Sequence, residues 1–203
     1  MVPPRFRLCL LLTRSGCVLP PEEVLIRAIA GGVDLVQVRE KDAAGAELLA
    51  WTRQVVALGR AAGVPVVVND SLDLALAADA DGVHLGQEDL HPDEARALLG
   101  PDRLIGLSTH DLEQVDEAAD LGVDYVGFGP VFATATKGYA RGLGSEALIH
   151  ACAVARLPML AIGGIHAENR WLLGENVGVA VSSALCGAED PQKVARALSL
   201  CPV

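Results

Sequence analysis

The sequence predicts an α/β protein, a single-domain (β/α)8 barrel over residues 1–203. Three observations carry this. First, one phrase recurs, in which a small or polar helix end passes through Gly-Val into a short apolar run. It stands at Gly32-Val33-Asp34-Leu35-Val36, Gly63-Val64-Pro65-Val66-Val67-Val68, Gly82-Val83-His84-Leu85, Gly122-Val123-Asp124-Tyr125-Val126 and Gly178-Val179-Ala180-Val181. Second, Leu8–Leu12, Arg103–Leu107 and Pro158–Ile162 bring the candidate strands to eight. Third, these runs are too short and too apolar for strands with one wet face, so they read as buried parallel strands alternating with helices. The rival, a doubly wound open sheet, usually carries a G-x-G-x-x-G turn after its first strand. Here that turn is Thr13-Arg14-Ser15-Gly16-Cys17.

The helices follow from apolar spacing. Glu47–Ala62 places Leu48, Leu49, Val55, Val56 and Ala62 on one face. Pro92 and the acids Asp93 and Glu94 open a helix that runs to Leu99. Leu112, Val115, Ala118 and Ala119 stripe another, which ends at Gly122, and Asp190-Pro191 starts a last one with Val194, Ala197 and Leu198.

Composition narrows the function. Hydrophobic residues are 51% but aromatics only 3%, so the core is built from Ala, Val, Leu and Ile. The net charge of −10 argues against a nucleic-acid or anionic-membrane partner. Arg5 and Arg7 precede Leu8–Leu12, but Thr13-Arg14 cuts the apolar run short of a targeting core. Five cysteines, Cys9, Cys17, Cys152, Cys186 and Cys201, form no C-x-x-C pair. They suggest a reduced cytoplasmic protein in which cysteines serve as small core residues.

Polar residues collect where the strands end and not where they begin. The strand beginnings look bland. The ends carry Gln37-Val38-Arg39-Glu40-Lys41, Asn69-Asp70, Gly86-Gln87-Glu88-Asp89, Ser108-Thr109-His110, Gly127-Phe128-Gly129-Pro130, Gly163-Gly164 and Ser182-Ser183. In a barrel these ends share the face where active sites lie. Gln37, Arg39 and Lys41 alternate and so point one way in an extended chain, which suits phosphate or pyrophosphate. Asp70 and Asp89 leave adjacent strands, where they could hold Mg2+, form an acid/base pair or cap the next helices. Gly163-Gly164 and Ser182-Ser183 stand where barrels often cradle a phosphate. Thr134-Ala135-Thr136-Lys137 reads as the start of a long loop able to act as a lid. His84 reads as structural, and His110 as a group that can move protons. No Ser-His-Asp or Cys-His set stands out, which argues against covalent hydrolase chemistry.

Taken in order, these pieces resemble the thiamine phosphate synthase family. The matching motifs are Gln37-x-Arg39-x-Lys41, Asn69-Asp70, Ala80–Asp89, Gly106-x-Ser108 with His110, Gly129–Lys137, Gly163-Gly164-Ile165 and Ser182-Ser183, spread from Leu8 to Leu198. The resemblance implies a (β/α)8 barrel that joins an aminopyrimidine methyl diphosphate to a thiazole phosphate, giving thiamine phosphate and pyrophosphate. It implies that Gln37, Arg39, Lys41, Asn69, Ser108 and Lys137 hold the pyrimidine diphosphate. Among these, Arg39, Lys41, Ser108 and Lys137 would act in catalysis. It further implies Mg2+ on Asp70 and Asp89, and the thiazole phosphate on Thr134, Thr136, Gly164, Ser182 and Ser183.

Some residues depart from the family pattern. Thr13-Arg14 stands where Thr-Asp-Arg is expected, and Asn169–Val177 is short enough to truncate its helix. The loop Gly138–Gly144 resembles that of a related thiazole tautomerase, an alternative beside a non-catalytic ligand-binding barrel. The complete diphosphate and metal set, with Pro130 after the sixth-strand Gly129, favours the synthase. The sequence leaves the oligomeric state open, a homo-oligomer included.

Overall fold

All eight expected strands form, and they close. The computed structural model describes residues 6–41, 43–134, 141–174 and 177–199. Its strands are β1 (Leu8–Leu12), β2 (Leu35–Val38), β3 (Val66–Asn69), β4 (Gly82–Leu85), β5 (Leu104–Thr109), β6 (Tyr125–Phe128), β7 (Met159–Ile162) and β8 (Gly178–Val181). They pair in parallel in chain order, and β8 returns to β1 through the register Leu8↔Val179 to Leu10↔Val181. The architecture is a (β/α)8 barrel.

Side chains alternate across each strand, so the wall separates two apolar layers. Leu8, Leu10, Leu12, Val36, Val38, Val66 and Val68 belong to the outer layer, with helix residues such as Val24, Val55 and Leu148. Cys9, Leu11, Leu35, Val67, Tyr125, Leu160 and Ala180 fill the lumen together with Phe6. The Phe6 and Tyr125 rings meet edge to face at 5.7 Å.

The helices are α1 (Pro21–Ala30), α2 (Gly45–Ala62), α3 (Leu72–Ala77), α4 (Pro92–Leu99), α5 (Leu112–Glu117), α6 (Gly144–Val154), α7 (Ser183–Cys186) and α8 (Pro191–Ser199). The expected stripes need three corrections. Ala62, Leu112 and Ala197 are exposed, while Trp51, Gly59 and Ala195 are buried. At the helix termini the apolar spacing continues past the last turn that touches the barrel. The seventh helix is truncated as expected. A 3-10 turn at Arg170–Leu173 takes its place. The buried Arg170 guanidinium fastens it, donating to Gly174 O (2.9 Å), Val177 O (3.0 Å) and Leu198 O (3.2 Å). No helix among the described residues is long and apolar enough to cross a membrane.

The beginnings of the strands are not bland. Asp34, just before β2, accepts from Arg7 N (2.8 Å) and Leu8 N (2.9 Å). Asp81, before β4, accepts from Val66 N at 2.8 Å. Asp124, before β6, accepts from Ile105 N at 2.7 Å and from the Arg96 guanidinium at 2.8 Å. Carboxylates ahead of β2, β4 and β6 thus tie down N–H groups at the start of β1, β3 and β5. Burial pushes the Asp34 carboxyl up, against the downward pull of the N–H groups it accepts.

Asp124→Ala leaves Ile105 N and Arg96 without their shared acceptor. It is expected to cost about 1–3 kcal/mol, read from urea unfolding. Asp124→Asn should lose part of that, because the amide keeps an oxygen for the N–H but not the charge.

Candidate active site

Above the apolar plug the lumen opens into a cavity of about 470 Å³ at the C-terminal ends of the strands. The same alternation builds both layers. Leu35 is followed on its face by Gln37 and Arg39, Val67 by Asn69, Tyr125 by Gly127 and Gly129, and Ala180 by Ser182; the second member of each series lines the cavity. Gln37 and Arg39 are 4% and 6% exposed. The backbone of Arg39 is clamped to β1, its N–H donating to Leu12 O (2.9 Å) and its carbonyl accepting from Thr13 Oγ1 (2.8 Å). No salt bridge holds its guanidinium among the described residues.

Lys41 stands apart from this pair. Strand β2 ends at Val38, and Lys41 lies beyond it, exposed and away from the cavity wall. Strand alternation therefore does not set its direction.

Asn69 ends β3 on the cavity wall, and Asp70 follows in a left-handed conformation (φ 62°), its N–H donating to His84 O at 2.8 Å. Asp89 folds back on β4 and accepts from Gly86 N at 2.7 Å. Neither caps a helix: the N-cap of α3 is Ser71 and that of α4 is His91. Two carboxylates are thereby placed just past the ends of adjacent strands.

Gly163 and Gly164 both need positive φ, 104° and 60°. A Cβ on Gly163 would strike Pro130, and one on Gly164 would strike Ala133 and Phe132. Phe132 N donates to Gly163 O (3.1 Å) and Val131 N to Ile162 O (2.8 Å), so the segment after β6 is pinned on the end of β7. This seats Thr134 on the cavity wall. Ser182, Ser183 and Ala184 line it from β8 and α7. Thr136 and Lys137 lie outside the described residues, as does the body of the expected lid.

Sequence reasoning missed a buried relay. Tyr125 Oη lies 3.1 Å from His84 Nδ1, and His84 Nε2 lies 3.0 Å from Ser108 Oγ. A Cβ on Gly106 would collide with both Tyr125 and His84, so the glycine two residues before Ser108 makes the room for them. Burial raises the Tyr125 hydroxyl well above its usual range, which keeps it protonated. The protonated phenol can donate to Nδ1, which would place the ring proton on Nε2, facing Ser108 Oγ. In that tautomer Nε2 donates to Oγ, the wrong polarity for activating a nucleophile. Ser108 lines the cavity, and its own proton would then be left to point elsewhere. On the far side, His110 Nδ1 lies 2.6 Å from Gly129 O and donates to it, which presents Nε2 as an acceptor in the neutral ring.

Removing the phenol tests the relay directly. Tyr125→Phe is expected to lower stability by about 1–2 kcal/mol. In 15N NMR, wild-type His84 should appear as the Nε2–H tautomer, and the variant as a mixture.

Comparison with known proteins finds relatives over most of the chain. Residues 9–185 match the family described as thiamine monophosphate synthase. A thiamine-phosphate synthase of Azorhizobium caulinodans is 48% identical over 181 residues, covering 87% of this chain and 84% of that protein. One from Chlorobium phaeobacteroides is 39% identical over 202 residues, covering 98% and 97%. Among solved structures, the thiamine phosphate pyrophosphorylase of Pyrococcus furiosus superposes with a TM-score of 0.84 at 36% identity, over 95% of this chain and 93% of that one.

Proposed function

The chain belongs to the thiamine monophosphate synthase family, and from that premise we propose how its barrel mouth joins an aminopyrimidine methyl diphosphate to a thiazole phosphate, releasing pyrophosphate. The observation that carries the reading is Arg39. Arg39 is 6% exposed as a residue, stands on a cavity wall and has no salt bridge among the described residues, so its charge suits an anion from outside. Gln37 beside it and Asn69 on the next strand supply neutral donors for the same anion. Ser108, with its proton directed away from His84, adds a hydroxyl donor. Lys41, beyond the end of β2, and Lys137, which follows β6 in the chain, would supply further positive charge.

The diphosphate is the leaving group. As the C–O bond to the pyrimidine methylene lengthens, negative charge grows on the departing oxygens, and cations fixed in advance stabilise that change more than the ground state. The electron-rich pyrimidine spreads the positive charge left on the methylene carbon, and the thiazole nitrogen captures it. Gly164, Ser182, Ser183, Thr134 and Thr136 would hold the thiazole phosphate within reach of that carbon. This chain then supplies position and charge, in accord with a Ser108–His84 pair in which Nε2 would donate to Oγ.

Asp70 and Asp89 suit Mg2+. They are hard oxygen donors, two in number, past the ends of adjacent strands, and no group of three or more metal-ligating side chains occurs among the described residues. Mg2+ is commonly held in this way, by one or two carboxylates with waters and substrate phosphates completing its shell. When bound, it would neutralise the departing diphosphate.

Pyrophosphate release should require both substrates and Mg2+ together. Consumption of the thiazole phosphate alone, without diphosphate or metal, would instead identify a tautomerase. Asp70→Asn and Asp89→Asn are each expected to lower turnover by about tenfold or more and to shift the Mg2+ dependence to higher concentration. Wild-type rates at wild-type Mg2+ in both variants would remove the metal assignment. Ser183→Ala is expected to raise KM for the thiazole phosphate more than for the diphosphate, and equal effects on both would detach it from that phosphate.

A further inference from the structure

Four of the five cysteines lie among the described residues, and two of them meet. Cys9 is buried in the lumen, and the exposed Cys152 has its Sγ 3.8 Å from Met159 Sδ. Cys17 follows the 3-10 turn Arg14–Gly16, whereas Cys186 ends α7, so the two belong to the first and last βα units. Val18 N donates to Cys186 O at 3.0 Å. A Cβ on Gly16 would stand 3.7 Å from Cys186 Cβ. Cys17 Sγ lies 3.4 Å from Thr13 O, and Cys186 Sγ lies 3.6 Å from Leu11 O. These carbonyls are two residues apart on one segment. The backbones touch and both thiols turn toward the same short segment, which brings the two cysteines near enough for a disulfide to be considered.

We infer that Cys17 and Cys186 form an oxidation site, closed into an intramolecular disulfide by a hydroperoxide. Cys17 is partly exposed and Cys186 buried, so peroxide meets Cys17 first. The Cys17 sulfur attacks one peroxide oxygen and gives up its proton to the departing oxygen. The O–O bond breaks, the other oxygen leaves as water after taking up a proton, and Cys17 becomes a sulfenic acid. The Cys186 sulfur then attacks the Cys17 sulfur, and the hydroxyl departs as a second water with the proton that Cys186 gives up. Two thiols lose two electrons and two hydrogens, and one hydrogen peroxide becomes two waters.

The bond would close a loop from residue 17 to residue 186, almost the whole barrel. It would staple the seam that β1 and β8 otherwise hold by hydrogen bonds. Closing so long a loop restricts the unfolded chain strongly, so the oxidised protein should be the more stable form.

The test compares the full chain treated with hydrogen peroxide or with dithiothreitol, by non-reducing peptide mapping and by thermal unfolding. The expected result is a Cys17–Cys186 peptide pair lighter by two hydrogens, a Tm several degrees above that of the reduced protein, and reversal by dithiothreitol. Cys17→Ser should fold, keep the reduced protein's Tm and lose both the cross-link and the Tm gain. If that variant proves unstable, Cys17→Ala serves, and the wild-type peptide map decides by itself. Single alkylation of both cysteines after peroxide overturns the inference. So does a cross-link of either one to Cys9, Cys152 or Cys201, or a Tm gain that persists without Cys17.

Discussion

The structure depends on one constraint: alternate residues of eight strands share a single narrow lumen. Phe6, Cys9, Leu11, Leu35, Val67, Tyr125, Leu160 and Ala180 close its lower part. Two residues further along the strands the same inward positions carry Gln37, Asn69, His84, Ser108 and Ser182. A slip of one residue in any strand would send its polar member into the outer core and an outer aliphatic into the cavity. Fold and site are therefore read from the same period. Side-chain volume enforces it further. A Cβ on Gly82 would run into the Leu104 backbone, and one on Gly106 into Tyr125 and His84, so the small residues are set by what their neighbours occupy.

Much of this was legible because period and punctuation are local. The Gly-Val phrase marks where a helix stops and a buried strand starts, and chemistry-bearing residues then fall at strand ends. The features that were not legible join residues distant in the chain. Asp34, Asp81 and Asp124 look like ordinary turn residues until the preceding strand lies beside them. Tyr125 reads as one more apolar strand residue, and its hydroxyl acquires meaning only when His84, 41 positions earlier, comes within 3.1 Å. The Cys17–Cys186 contact needs the barrel to close. At Lys41 pattern and strand part company: the alternation of the sequence extends past Val38, where β2 ends.

Charge separates what is structural from what is chemical. Exposed pairs such as Arg27–Glu23 and Arg156–Asp120 stand in water, where screening leaves each of them little weight. Among the described residues two arginines are buried, and their surroundings differ. Arg170 spends its guanidinium on three carbonyls that hold the shortened seventh unit in place, so it serves the fold. Arg39 has its backbone held at both N–H and carbonyl while its head stands on the cavity wall. In a chain of net charge −10 such a cation raises the affinity of this one cavity for anions without making the surface attractive to polyanions.

The relay beneath the cavity connects the plug to the chemistry. A serine 3.0 Å from a histidine nitrogen would, from that distance alone, suggest a nucleophile. The group behind the histidine decides otherwise. A carboxylate there would accept from Nδ1–H and leave Nε2 free to take the serine proton. Tyr125, kept protonated by burial, can donate to Nδ1, and that bond would place the proton on Nε2. Ser108 would then accept from His84 and keep its own proton as a donor. Under the function proposed above, a donor is what a departing diphosphate calls for, and an alkoxide would repel it. The plug residue that closes the lumen would thus also set the polarity of a hydroxyl on its wall.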